Sequence, residues 1–195
     1  MISLEDGKKL LSLAKESVRT ALFDEELKPD PALLQKYSAP QGVFVTLHEH
    51  DQLRGCIGFP EPVYPLTEAI IRGARAAAFD DPRFPPVEEN EFEDLHFEIS
   101  ILTVPEKIVV EKPEGYTDKV EIGKDGLILR LQGASGLLLP QVPVEWKWNA
   151  KQFLENLSMK AGLTKDAWQH DEAELLKFQA QIFSEEDGDI VEKKL

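Results

Sequence analysis

The sequence predicts an α+β fold with a mixed, mostly antiparallel sheet and flanking helices. Apolar residues near the N-terminus recur at helical spacing, which indicates an amphipathic helix. Two β-rich runs separated by a polar break indicate a hairpin, and the segment LHFEISILTV alternates apolar and polar residues strictly. At 195 residues, with 42% hydrophobic and 30% charged residues, we expect one globular unit with a substantial core.

Two helices are expected before the first β-rich run. Ser3 can cap a helix that has Asp6 at its third position, and we expect this helix to cover residues 4–23. Asp30 directly precedes Pro31. An N-cap aspartate followed by proline at the first helical position predicts a short second helix.

The run GVFVTLHEHDQLRGCIGF predicts a hairpin with the polar break EHDQ. The pairing of His48 across this break decides the environment of Cys56, the only cysteine in the chain, because side chains alternate between the two faces of a strand. If His48 pairs with Leu53, Cys56 lies on an apolar face with Val45 and Leu47.

The alternative register pairs His48 with Gln52. Cys56 then joins Phe44, Thr46 and His48, which brings a histidine near the thiol. A slip of one residue moves every side chain of the strand to the other face, and the sequence leaves both registers open.

The rest of the chain alternates between helices and strands. Pro65 can open a helix with small residues on one face, and the stretch FDDPRFPPVEENEFEDL is expected to cross between lobes. The segment KVEIGKDGLILRLQGASGLLLPQV predicts a strand, a turn at Asp125-Gly126, a second strand, a loop and a third strand. Asn149 and Gln152 resemble a capping pair for a later helix, and ELLKFQAQIFSEE predicts a last strand.

The net charge of the chain disfavours some classes of binding partner. The chain has 22 basic and 36 acidic residues, a net charge of −14. This charge disfavours nucleic acids and anionic membranes as partners, since both are bound through lysine and arginine surfaces. The N-terminus lacks the features of a signal peptide and no apolar run is long enough to span a membrane, so we expect a cytoplasmic protein.

The motif LRGCIG is the first candidate for chemistry. On an extended strand Arg54 and Cys56 project from the same face, about 7 Å apart, and a nearby cation lowers the pKa of a thiol. Gly55 and Gly58 leave space for a ligand or another backbone segment to approach closely. The alternative is that Cys56 is a small buried hydrophobe, which is common for free cysteines.

The alternating strand offers a second candidate. His96, Glu98 and Ser100 share its polar face, where Glu98 can accept a proton from a ligand in a cleft. Periodicity alone is equally consistent with the solvent-facing side of a half-covered strand.

Metal binding is the third chemistry to consider. The cluster His48, Glu49, His50 and Cys56 contains metal-ligating residue types, but no second cysteine or distant pair of histidines supports it. We therefore expect no metal and no other cofactor.

Several motifs together resemble the AMMECR family. They are LRGCIG, an alanine-rich stretch that ends in DPRFPP, and then EISILTVPE, GKDGLIL, GLLLPQVPVEW and FLENLSMKAGL. The resemblance extends from about Ser3 to Trp168, and it implies an α+β fold of two unequal lobes with a cleft near the cysteine motif. We expect a single domain over 1–195, with a smaller lobe at 15–86 and a larger lobe at 87–195 plus the start of the N-terminal helix.

The resemblance also bears on partners and site residues. The biochemical activity of the family is not established, and relatives occur fused or linked to Memo-like domains and radical SAM proteins, which implies a partner of that kind in a modification pathway. The family signature falls on residues 53–58 and 81–84, and further matches are Glu98, Ser100, Gly126 and Leu139, Pro140 and Gln141.

These observations favour a cleft site that binds a small molecule or a modified residue, with thiol-dependent catalysis as its extension. We expect Cys56 to be a nucleophile or a close-contact thiol, and Glu98 to be a proton acceptor. The expected ligand-binding residues are Arg54, Gly55, Gly58, Ser100 and Gln141. The alternative function is a noncatalytic interaction module that docks a larger enzyme and steers basic partners through its acidic surface.

Overall fold

The computed structural model describes residues 1–186 and 188–193 of the chain. Helices and antiparallel strands alternate along these residues, which confirms the α+β class. The chain divides into two compact units. The first unit contains Met1–Leu102 and the segment that begins at Gln181, and the second unit contains Thr103–Ala180.

The first unit combines three helices with a five-stranded sheet. Its elements are α1 (Leu4–Leu22), α2 (Pro31–Lys36), β1 (Val43–Glu49), β2 (Gln52–Phe59), α3 (Leu66–Phe79), β3 (Leu95–Leu102), β8 (Ala180–Glu186) and β9 (Asp189–Lys193). The strand order is β2-β1-β3-β8-β9, so the hairpin β1–β2 and the hairpin β8–β9 lie at opposite edges of the sheet.

The boundary between the units differs from the expected lobe boundary at residues 86 and 87. Strand β3 pairs with β1 along its whole length, from Val43 opposite Ile101 to Glu49 opposite Leu95. These backbone hydrogen bonds hold β3 in the first unit, so the division falls after Leu102. The acidic, proline-rich stretch before β3 likewise connects two elements of the first unit instead of crossing between units.

The predicted helices of this unit form for the predicted reasons. The hydroxyl of Ser3 accepts a hydrogen bond from the amide of Asp6 at 3.2 Å, which starts α1. The side chain of Asp30 caps α2 in the same way at 2.9 Å. The buried side of α1 then packs its apolar residues, spaced at helical intervals, into the core of the unit.

One face of the five-stranded sheet is apolar and forms this core. Val45 and Leu47 on β1 and Phe97 and Ile99 on β3 are fully buried in one apolar cluster with side chains of α1 and α3. Burial of aliphatic and aromatic groups stabilises each by about 1.5–3 kcal/mol relative to exposure. Because side chains alternate along a strand, the residues between these core residues on β1, β2 and β3 point to the opposite side of the sheet.

The β1–β2 connection is a two-residue turn formed by His50 and Asp51. Both residues have positive φ angles, 49° and 60°. This backbone suits the twist of a tight hairpin, although asparagine and glycine adopt it with less strain. Glu49 and Gln52, expected within the break, instead form the last pair of the two strands.

A β-bulge beside this turn changes the register of the hairpin, so that neither predicted register holds along its whole length. His48 pairs with Leu53, but the pairing shifts between Leu47 and His48, so that Leu47 lies opposite Gly55. Arg54 is the extra residue on β2. Beyond the bulge, Cys56 lies opposite Thr46, a pairing that neither register gives, but it lies on the face with Phe44 and Thr46 that the other register predicts.

The second unit is built on a four-stranded sheet of order β4-β7-β5-β6. Its elements are β4 (Glu106–Lys107), α4 (Tyr116–Lys119), β5 (Gly126–Leu131), β6 (Ala134–Leu138), α5 (Gln141–Glu145), α6 (Ala150–Lys160) and β7 (Glu174–Phe178). The predicted capping pair is confirmed, because Asn149 and Gln152 exchange side-chain to backbone hydrogen bonds at the start of α6.

Two sequence expectations for this part of the chain are wrong. The segment before Asp125 is a short helix and a turn, not a strand, because the buried Asp125 carboxylate accepts the amide of Glu121 and closes the turn. The expected last strand is two strands, β7 and β8, which belong to different sheets and separate at Gln179.

Candidate functional site

The hairpin register brings polar side chains together across three strands of the first unit. Cys56 on β2 pairs with Thr46 on β1, and Thr46 pairs with Glu98 on β3. Ser100 lies two residues beyond Glu98 and therefore on the same side of the sheet. This side is called the Cys56 face below, and it carries Phe44, Thr46, Cys56, Gly58, Glu98, Ser100 and, from β9, Lys193.

The Cys56 face is polar even where it is deeply buried. Thr46, Glu98 and Ser100 are 8%, 6% and 1% exposed, whereas the other face of the same strands is apolar. Burying a hydroxyl or a carboxylate costs free energy unless it gains a hydrogen bond or an ion pair. Packing alone therefore does not account for the residues on this face.

The thiol of Cys56 is half-buried and accepts a hydrogen bond from the hydroxyl of Thr46, with 3.4 Å between Oγ1 and Sγ. Burial raises the pKa of this thiol; the Thr46 hydrogen bond and the charge of Arg83 oppose the rise, while Asp81 and Glu98 add to it. The protonated thiol is thus favoured at neutral pH, and it is a weaker nucleophile than the thiolate.

Arg54 is engaged within the protein. Its guanidinium donates to both carboxylate oxygens of Glu91, at 2.8 and 3.1 Å, and to the carbonyl of Pro85 at 3.0 Å. The side chain is only 9% exposed. This buried, bidentate ion pair ties β2 to the 3-10 helix Glu89–Asp94 and gives Arg54 a structural contact where an anion-binding role was expected.

The charged groups beside the thiol belong to Asp81 and Arg83. The carboxylate of Asp81 accepts the backbone amide of Cys56 at 2.9 Å, and Arg83 donates to the carbonyl of Cys56 at 3.1 Å. Arg83 also binds the Asp81 carboxylate at 2.6 Å, and this contact is the main reason why the pKa of Asp81 is well below its usual range. The motif DPRF therefore occupies the open edge of β2 at Cys56.

The two glycines of the cysteine motif serve close backbone packing. A Cβ atom on Gly55 would collide with the carbonyl oxygen of Ala77 in α3. A Cβ atom on Gly58 would collide with the backbone of Val43 and with Phe44 on β1. The sequence left open whether a ligand or another backbone segment approaches these glycines. The structure shows a backbone segment at both positions.

Glu98 is a buried carboxylate whose charge is balanced from the last strand. The ammonium of Lys193 on β9 lies 2.9 Å from Oε2 of Glu98. The side chain of Glu98 is 8% exposed, while that of Lys193 is 36% exposed. The ion pair therefore joins a buried acid to a cation that solvent can reach.

Two expected hydrogen-bonding residues have buried polar atoms without a hydrogen-bond partner among residues 1–186 and 188–193. They are Oγ of Ser100 on the Cys56 face and Oε1 of Gln141 at the start of α5 in the second unit. Most buried polar atoms in proteins have a partner, so each exception needs an explanation, such as an unseen water or ligand.

The metal-ligating residue types near the cysteine form no metal-binding group in the described residues. His50 lies in the turn between β1 and β2, and no group of three or more histidine, cysteine or acidic side chains with metal-binding geometry occurs among residues 1–186 and 188–193. Within the same described residues, every helix is too short or too polar to cross a membrane.

Sequence reasoning missed the residues that reach the site from elsewhere in the chain. Lys193 lies in the run DIVEK, whose alternation after a glycine is only a weak strand signal. Asp81 and Arg83 were known only as part of a family signature. Their contacts with the backbone of Cys56 depend on the path of the loop after α3, for which the sequence has no periodic signal.

Two comparisons of sequence indicate what the chain is related to. A family model described as AMMECR1 matches residues 11–183. Protein MK0488 of Methanopyrus kandleri is 43% identical, with 100% of this chain and 96% of the relative covered. Protein Ta0236 of Thermoplasma acidophilum is 46% identical, with 99% and 94% covered.

A solved structure agrees with these relatives. The crystal structure of uncharacterized protein PH0010 from Pyrococcus horikoshii matches with a TM-score of 0.94 and 44% sequence identity, covering 100% of this chain and 99% of that one. The family model, the relatives and this structure all span nearly the whole chain. The chain therefore belongs to the AMMECR1 family.

Proposed function

We propose that the Cys56 face of the first unit binds a small polar molecule or a modified side chain through noncovalent contacts. The observation that carries this proposal is the hydroxyl of Ser100, which belongs to a residue only 1% exposed and has no hydrogen-bond partner within the part of the chain that the structure describes. A bound molecule that supplies the missing partner would remove the cost of burying this group. Glu98 and Thr46 place further polar atoms on the same face.

The thiol of Cys56 acts in this proposal as a close contact and not as an activated nucleophile. Its raised pKa favours the protonated form, which donates a weak hydrogen bond. Thiol-dependent catalysis, the stronger form of the sequence hypothesis, would require a bound ligand to lower that pKa. Noncovalent binding therefore has the better support.

The other expected site residues have different roles in this proposal. Ser100 donates or accepts a hydrogen bond, and Glu98 accepts one or takes a proton. Gln141 belongs to the second unit and stays a separate prediction of a ligand contact, because its buried Oε1 has no hydrogen-bond partner in the described residues. Arg54 supports the site indirectly through its ion pair with Glu91.

Native mass spectrometry of the full chain tests this function. The protein is incubated with a low-molecular-weight filtrate of lysate from its natural host and then separated from unbound material. We expect a retained mass in the wild type and in Ser135→Ala, which changes an exposed serine of β6. Ser100→Ala should weaken retention about fivefold to tenfold, as expected for one hydrogen bond. The absence of any retained mass in the wild type would contradict the proposal.

A second candidate function is a noncatalytic module that docks a larger enzyme. The observation that favours it is the charge of the chain, −14, most of which lies in the segments of the first unit. Such a surface steers basic partners. On the strength of the family resemblance, we infer that a Memo-like or radical SAM protein is the partner of this module. A stoichiometric complex with such a protein, captured from host lysate and unaffected by Ser100→Ala, would favour docking over ligand binding.

A further inference from the structure

The ion pair on the Cys56 face joins two residues of very different exposure. Glu98 has a buried carboxylate, and a buried charge is stable only when a partner compensates it. Its partner Lys193 is a partly exposed residue at the end of β9, the edge strand of the sheet. Glu98 is thus a buried acid whose charge is compensated by a cation that solvent can reach.

The other side chains of this face match a cationic ligand. Glu98 supplies a carboxylate, and Ser100 supplies a hydroxyl oxygen that none of the described residues bonds. Thr46, which pairs with Glu98 on the adjacent strand, supplies a second hydroxyl oxygen. None of these three side chains carries a positive charge.

From this arrangement we infer that the ammonium of Lys193 occupies the position of a primary ammonium group of the ligand. The inference rests on the proposed function and specifies its ligand class: a small amine, or the side chain of an unmodified lysine in a partner protein. The ammonium of either would bind the Glu98 carboxylate in place of Nζ of Lys193. The hydroxyl of Ser100, which Nζ does not satisfy from this position, would pair with another polar atom of the ligand.

The exchange needs no new cavity and leaves no buried charge uncompensated. The incoming ammonium takes the volume and the ionic contact of Nζ of Lys193, so Glu98 stays paired throughout. Lys193 also lies 3.7 Å from the carboxylate of Glu186, whose side chain is 50% exposed. This second acid offers the displaced side chain a solvated position on the adjacent strand.

The tethered lysine competes with the ligand. An intramolecular group acts at an effective concentration that is commonly in the millimolar range. Removal of the Lys193 ammonium should therefore tighten the binding of a free amine by about tenfold or more, and it should also leave Glu98 dependent on that amine for its charge balance.

Chemical rescue of thermal stability tests this inference. Lys193→Met should lower the melting temperature, and n-butylammonium chloride should restore it saturably, whereas tetramethylammonium chloride at equal ionic strength should not. Lys8→Met is the matched control, because it removes another lysine that is ion-paired with β9, through the exposed Asp189. This control should show no specific rescue.

The double variant Lys193→Met with Glu98→Gln removes the negative charge that the ammonium compensates and should abolish rescue. If Lys193→Met does not fold, Lys193→Gln retains a hydrogen-bond donor toward Glu98 and takes its place in the same assay. Equal rescue with and without Glu98, or no saturable rescue of a folded Lys193 variant, would overturn the inference.

A third probe distinguishes the two sources of the ammonium and separates this inference from the proposed function. N-acetyl-lysine methylamide that rescues as well as n-butylammonium supports a peptide lysine, and rescue by n-butylammonium alone supports a small amine. Retention of a host ligand that depends on Ser100, together with no rescue by either amine, would leave the proposed function standing and overturn the ammonium assignment.

Discussion

The carboxylate of Asp81 accepts the backbone amide of Cys56 at 2.9 Å, although the two residues are 25 positions apart. Arg83 completes the contact by donating to the carbonyl of Cys56. An aspartate and an arginine thus replace a neighbouring strand at the open edge of β2. The contact fixes the backbone of the cysteine and keeps this edge from pairing with another chain.

Replacement of Asp81 should destabilise the first unit in a pH-dependent manner. An asparagine side chain cannot satisfy the amide of Cys56 and the Arg83 guanidinium together, so we expect Asp81→Asn to cost about 2–3 kcal/mol of unfolding free energy at pH 7. The pKa of Asp81 is lowered in the folded state. Its contribution is therefore complete above the pKa of an unfolded aspartate, about 3.9, and is lost as the pH falls toward the folded pKa.

Urea unfolding of the wild type and of Asp81→Asn at several pH values measures this difference. The gap between the two proteins should be constant from neutral pH to about pH 5 and should shrink below about pH 4. A gap that grows on acidification would contradict the assigned role of the carboxylate.

The two arginines near the cysteine motif should have separable effects on the thiol. The charge of Arg83 lowers the pKa of Cys56, so Arg83→Met should raise that pKa and slow alkylation at neutral pH. Arg54→Lys should reduce stability by weakening the bidentate contact with Glu91, and it should leave the alkylation profile unchanged. The pH dependence of iodoacetamide labelling measures both. A larger shift of the Cys56 pKa in the Arg54 variant would contradict this account, because it would show that Arg54 is the cation that acts on the thiol.

A methyl group at Gly55 should disrupt the packing of β2 against α3. The added Cβ of Gly55→Ala overlaps the backbone oxygen of Ala77, which cannot rotate away, so we expect a loss of about 2–4 kcal/mol. Gly115→Ala is the control, because its Cβ would meet only ordinary contacts with Val110. Chemical denaturation should separate the two variants clearly, and equal stability would argue against the close approach.

The turn between β1 and β2 should accept a stabilising change. His50 and Asp51 both have positive φ angles, which asparagine and glycine adopt with less strain. The double change His50→Asn with Asp51→Gly should therefore add about 1 kcal/mol and raise the melting temperature by a few degrees. Asp118→Gly, inside α4, should do the opposite. A lower melting temperature in the turn variant would contradict the assigned turn.

Periodicity predicted the helices and the polar face correctly, because both follow from local spacing. The helix over residues 4–23, the capping pair at Asn149 and the shared face of Glu98 and Ser100 each depend on residues near one another in sequence. The sequence could not choose the register at Cys56, since the bulge at Arg54 combines the pairing of one register with the face of the other.

The sequence also did not predict the long-range charge contacts, because these contacts depend on the bulge and on the arrangement of the strands. Arg54 and Cys56 are close in sequence, which suggested a cation and thiol pair, yet a guanidinium on a bulged strand can reach partners that a regular strand would not present. Its observed partner is Glu91, and the charge near the thiol is that of Arg83. The pairing of Glu98 with Lys193 spans 95 positions and reaches across β8, which lies between β3 and β9 in the sheet.

The most direct test of the central claim is a high-resolution crystal structure of the protein purified from its natural host without added ligands. We predict density for an ordered nonprotein molecule within hydrogen-bond distance of Oγ of Ser100, on the side of the sheet that carries Glu98. Density that shows this hydroxyl bonded to a protein acceptor, with no molecule beside it, would contradict the claim that this face binds a ligand.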